Sequence, residues 1–206
     1  MRRALSIATA AAAAAALMAT SLHASAAPAK TVIEDPLGDA NFVNDQGTGD
    51  GTFGDQNAAD AGTVSDITGI QLMNDAKNLY VTIQTEAAPP AATGIGFAFR
   101  VNPGDAGSHC IYIEAFYPGA NNILTAPVAQ LRDTCAGGDP VSLKVLGTQV
   151  VVPRKSNPAF GKGAKLTSPQ AQSFLYWGNG TQGFGAPYAD TTKVGTDYTF
   201  VDKKKG

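Results

Sequence analysis

Apolar residues recur along this chain with a period of two. In Asn78 to Gln84, Leu79, Val81 and Ile83 alternate with Tyr80, Thr82 and Gln84, the pattern of a strand with one face on a core. Gly94 to Val101 repeats it, with Ile95, Phe97, Phe99 and Val101 on one side. His109 to Phe116 is apolar on both sides, as a central strand would be. The same reading predicts strands at Thr31 to Glu34, Ile67 to Met73, Val128 to Arg132, Val141 to Leu146, Gln149 to Val152, Ser173 to Trp177 and Asp197 to Val201. Turn signals separate them: Pro89-Pro90, Asn102 to Asp105, Pro118-Gly119, Gly137 to Asp139 and Gly147. Pro153 to Gln172 reads as a long Lys-, Gly- and Pro-rich loop. Within it a short helix is predicted at Ser168 to Ala171, with Ser168 as cap and Pro169 in the first position. Many short strands without a long helical period predict an all-β fold, an antiparallel sandwich.

The first residues change the frame of the count. Arg2 and Arg3, the Ala-rich run Ala8 to Met18 and the small-residue site Ala24-Ser25-Ala26 read as an export signal over residues 1–26. The run is too short for a spanning helix, and no second one follows. Residues 27–206 are then long enough for one domain. They carry thirteen basic and seventeen acidic residues, a net charge of −4. That balance gives no footprint for nucleic acid and little attraction to an acidic membrane surface. The only two cysteines, Cys110 and Cys135, are expected to form a disulfide in an exported chain.

Charge is most uneven early in the chain. No Lys or Arg occurs between Lys30 and Lys77, yet Asp35, Asp39, Asp45, Asp50, Asp55, Asp60 and Asp66 do, spaced by Gly and Asn. One reading is a solvated acidic connection. The other is a long N-terminal loop folded around Ca2+, which takes six to eight oxygens from carboxylates, amides, carbonyls and water. The EF-hand pattern fails: counted from Asp39, Val43 and Asn44 stand where a ligand and a Gly belong. The candidate metal set is Asp35, Asp39, Asn41, Asp45, Asp50 and Asp66.

Asp35-Pro36-Leu37-Gly38-Asp39, Asp66-Ile67 opening a strand, and Leu79 to Ile83 together resemble the start of secreted β-sandwich modules related to DOMON and family 9 carbohydrate-binding domains. The resemblance covers Ile33 to Gln84, about a quarter of the chain. It implies a jelly-roll-like sandwich with structural calcium near the opening acidic turn, and a binding role more than an activity.

Tyr176 to Tyr188 gathers the only Trp with other aromatics and four glycines. Tyr176, Trp177, Asn179, Phe184 and Tyr188 are candidate ligand-binding residues, as aromatic walls with a few amides suit a sugar; a core strand end followed by a turn is the plainer reading. Catalysis has thin support. His109 is the sole histidine after the signal, no nucleophile elbow occurs, and Glu114, the best candidate acid, is equally suited to pair with Arg100 or Arg132. The sequence thus predicts a secreted, calcium-stabilised binding module, with polysaccharide or a cell-surface glycan as the partner. A carboxylate-dependent secreted hydrolase and a structural cell-envelope protein are the alternatives.

Overall fold

A computed structural model describes residues 26–37, 66–86, 95–103, 109–118, 124–175 and 188–201. Among them are eleven strands and two 3-10 turns: β1 (Lys30–Glu34), β2 (Ile67–Asn74), β3 (Asn78–Thr85), β4 (Ile95–Pro103), β5 (Ile111–Phe116), β6 (Val128–Asp133), β7 (Val141–Leu146), β8 (Gln149–Pro153), the turns Arg154–Ser156 and Pro158–Phe160, β9 (Lys165–Leu175), β10 (Tyr188–Thr191) and β11 (Tyr198–Thr199). All pairings are antiparallel, in the order β1-β2-β3-β8-β7-β6-β5-β4-β9-β10, with β11 on β9. The expected antiparallel sandwich is therefore the fold.

Strand β7 is where one ladder becomes two layers. Its first half, Val141 to Leu143, pairs with β6, and its second half, Lys144 to Leu146, pairs with β8. One layer holds β1, β2, β3 and β8; the other holds β6, β5, β4, β9 and β10. Their inner faces meet in a single apolar cluster. Leu72, Val81 and Val150 lie side by side in one layer, Leu131, Ile113, Phe99 and Ala171 in the other, all buried. Burying each large side chain contributes about 1.5–3 kcal/mol. The alternation that predicted strands is thus the alternation between core and surface.

The predicted loop and helix between Pro153 and Gln172 give way to two short 3-10 turns and β9. Ser168 is a positive-φ residue (50°), at a register shift where β9 passes β4. Pro169 therefore belongs to a bulge in a strand, the one interior site where a missing N–H disrupts no ladder. A serine and a proline in that order carry the same local signal for a helix start, and partner strands decided between them.

The second edge of the sandwich is closed by the segment after β10. Gly195 N–H donates to the Pro169 carbonyl (2.8 Å) and Thr196 N–H to the Val32 carbonyl (2.7 Å), tying β9 to β1. A Cβ on Gly195 would lie 2.0 Å from the Val32 oxygen, so the approach admits only glycine. Asp197 reinforces the same seam: its carboxylate meets Lys165 Nζ (2.7 Å), and its carbonyl accepts from Lys30 Nζ (2.6 Å).

Below it, buried Asn74 holds the last strand. Its Oδ1 accepts from Tyr198 Oη (2.7 Å) and Val201 N–H (3.0 Å), while its Nδ2 donates to the carbonyls of Asp75 and Val201. Arg154 lies over the Phe200 ring and donates to the carbonyls of Asp75, Phe160 and Gly161. Burial pushes the Tyr198 and Tyr117 phenols up to about 12.

Gly195→Ala is expected to cost about 3 kcal/mol or more in a denaturant melt, because backbone must move to relieve the clash. Gly161→Ala, with its nearest atom at 3.5 Å, should stay within about 0.5 kcal/mol. Both tyrosines favour the neutral form when folded. Their stabilisation is then complete below pH 10 and declines as pH rises towards 12. Melting temperature against pH should fall over that interval, and less steeply in Tyr117→Phe.

Candidate functional site

The outward face of the second layer is built by the register of β5 with its neighbours. Directly opposed residues of an antiparallel pair share a face. One row reads Arg132, Tyr112, Arg100, Gln170 across β6, β5, β4 and β9. The next reads Gln130 and Glu114, with Gln172 beyond the backbone of Ala98, and the third Val128 and Phe116, beside the backbone of Gly96 on β4. The strand β5 alternates buried Ile111, Ile113 and Ala115 with half-buried Tyr112, Glu114 and Phe116. Instead of being apolar on both sides, it thus presents an aromatic, an acid and an aromatic outward.

Electrostatically the face is organised around Glu114. Its Oε2 accepts from Arg132 Nε (2.9 Å) and Gln130 Nε2 (2.6 Å), both on β6. Of the two pairings open to Glu114, the structure takes Arg132. Arg100, exposed on the other side of Tyr112, has no carboxylate partner among the described residues. Gln170 Nε2 donates to the Thr192 carbonyl (3.0 Å), which fixes the far end of the first row.

Of the sugar-binding candidates, Tyr176, Trp177, Asn179 and Phe184 lie outside the described residues. Tyr188 opens β10, its backbone paired with Phe174. The stretch that holds them thus leaves from β9 and returns into β10 at the border of this face. Tyr112, Phe116 and the glutamines are not among the sequence's binding candidates, and Arg100 enters there only as a pairing partner for Glu114. The alternation in β5 is a legible signal, but which strands flank it is not.

Among the metal candidates, Asp39, Asn41, Asp45 and Asp50 lie outside the described residues. Asp35 and Asp66 come to the same end of the β1–β2 pair, where Asp35 N–H donates to the Thr68 carbonyl (3.2 Å) and Glu86 N–H to the Asp66 carbonyl (3.0 Å). Asp66 is 1% exposed. Two carboxylates fall short of a calcium shell, and among the described residues no three His, Cys, Asp or Glu side chains cluster.

A third polar centre sits at the opposite corner of the second layer. Cys110 and Cys135 form the expected disulfide, joining the start of β5 to the turn after β6. Between them Asp133 collects four donors: Oδ1 accepts from the N–H groups of Cys110 (3.0 Å) and Ala136 (3.2 Å), and Oδ2 from Asn157 Nδ2 (2.9 Å) and His109 Nδ1 (2.5 Å). Burial raises the Asp133 carboxyl, but the bonds from Asn157, Cys110, His109 and Ala136 outweigh it and hold the group well below the carboxylate range. Buried Asn157 in turn caps the second 3-10 turn through Ala159 N–H (2.8 Å). Among the described residues His109 pairs with Asp133, and no hydroxyl or thiol joins them. The constellation ties the start of β5 to the turn after β6 and to the second 3-10 turn.

Comparison with protein-family models, with curated proteins and with solved structures yields no match, so the geometry alone carries the functional reading.

Asp133→Ala should lower stability by about 1–3 kcal/mol at neutral pH, because the buried Asn157 amide and the partly buried Cys110 N–H and His109 lose their acceptor. In the parent, the contribution of Asp133 is present above its ordinary value of 3.8 and is lost as pH falls through the depressed value. An acid titration followed by circular dichroism should therefore show the parent losing stability below pH 4 more steeply than the variant.

Proposed function

We propose that the protein is a secreted glycan-binding module whose ligand lies on the outward face of the second layer. The observation that carries this reading is the first row: half-buried Tyr112 stands between Arg100 and Arg132, with Glu114, Gln130 and Phe116 near it. A pyranose has an apolar ring face and a rim of hydroxyls. Aromatic rings on a rigid sheet receive the first, and amides, guanidinium groups and a carboxylate receive the second. The sheet fixes these groups before binding, so little conformational entropy is lost. The aromatics and amide of the stretch from Tyr176 to Tyr188 stay within the proposal as further sugar-binding candidates.

The hydrolase alternative is less well supported. Glycoside hydrolysis ordinarily uses two carboxyl groups on opposite sides of the scissile bond. Here Glu114 is engaged by Arg132 and Gln130, and it is the one acid in the three rows described. Calcium remains part of the proposal through Asp35 and Asp66. Both flank the acidic stretch, and a cation shared with its carboxylates would offset the cost of a carboxylate as buried as Asp66.

In affinity electrophoresis against a panel of soluble polysaccharides, at least one should retard the full chain, and Tyr112→Ala should abolish the retardation with an unchanged melting temperature. Absence of retardation by any of them removes the reading. Separately, calcium should raise the melting temperature and chelator lower it, with both responses lost in Asp35→Asn/Asp66→Asn; a midpoint indifferent to both removes the metal.

A further inference from the structure

We infer that the glycan taken by this face is acidic, a polysaccharide bearing uronate carboxylates; the inference rests on the glycan-binding reading above. Arg100 and Arg132 are placed symmetrically about Tyr112, each directly opposite it on a neighbouring strand. Two inter-strand spacings separate their backbones by roughly 10 Å. Like charges on the two sides of one ring are left with a single compensating carboxylate, Glu114, which engages Arg132. Arg100 is exposed and has no carboxylate partner among the described residues.

A ligand lying on Tyr112 would take water away from both guanidinium groups. With a neutral sugar, Arg100 would lose hydration without gaining a counter-charge, an unfavourable exchange. A carboxylate at the rim of the stacked ring supplies that charge and matches the planar guanidinium fork with two hydrogen bonds. The arginine on the other side already has Glu114, so the site distinguishes its two ends: Arg100 reads the acid, and Arg132 with Glu114 and Gln130 reads hydroxyls. The whole chain carries a net charge of −2, so attraction to a polyanion must come from this local arrangement rather than from overall charge.

The test is calorimetric titration of the full chain with polygalacturonate, alginate and hyaluronate, each beside its carboxyl-reduced, neutral counterpart. At least one acidic polymer should bind about tenfold or more tightly than its reduced form, the ratio expected when one charge-assisted contact is lost. Arg100→Gln should remove that preference, so that the variant binds the acidic polymer and its reduced form alike. Tyr112→Ala should weaken both forms. Equal binding of acidic and reduced forms, both sensitive to Tyr112→Ala, overturns the acidic preference and leaves the glycan reading standing. A preference that survives Arg100→Gln overturns the assignment to this row. Failure of all six polymers, together with no retardation by any neutral polysaccharide, overturns both.

Discussion

An antiparallel ladder of ten strands has one apolar face, and that face leaves water only if the ladder folds onto itself. Two places make this possible. At β7 the chain changes partners halfway, so the layers share a strand rather than a loop. At the other side the layers have no shared strand, and the backbone of Gly195 and Thr196 bridges them through the carbonyls of Pro169 and Val32. The close approach at Gly195, the buried amide of Asn74 and the ion pair of Asp197 with Lys165 all serve that second closure. The core in between depends on both.

Closure also determines what remains outside. Once Leu131, Ile113, Phe99 and Ala171 are committed to the interior, the residues between them on each strand must face water. On β5 these are Tyr112, Glu114 and Phe116, and the register brings arginines and glutamines alongside. The proposed binding face is therefore the other side of the core, set by the same pairing. A one-residue slip of β4 on β5 would dismantle both. The disulfide and the Asp133 hub tie the start of β5 to the end of β6, where they hold the register of that neighbouring pair.

Strand positions were legible because burial on one side imposes a period of two, and Ile111, Ile113 and Ala115 or Phe99 and Val101 display it directly; in β3 Tyr80, expected on the polar face, is buried and donates to Asp75 Oδ2. The disulfide was legible from the count of two cysteines. Pro169 was misread because the sequence around it describes only local backbone, and a proline after a serine suits a helix start as well as a bulge. Glu114 was legible as an ion-pair candidate, and register chose Arg132 over Arg100.

The sequence by itself determined the class of structure, since alternation, turn residues and the lack of helical periodicity are properties of neighbours in the chain. It also determined where acids and aromatics concentrate. Tertiary structure decided which strands are adjacent, and with that everything that depends on contacts across the chain. Asn74 meets Val201, Gly195 meets Val32 and Tyr112 lies between Arg100 and Arg132 only after the ladder has formed. Such pairings are set by the joint burial of one face and the closure of two edges, quantities that belong to the whole chain and are written in no single segment of it.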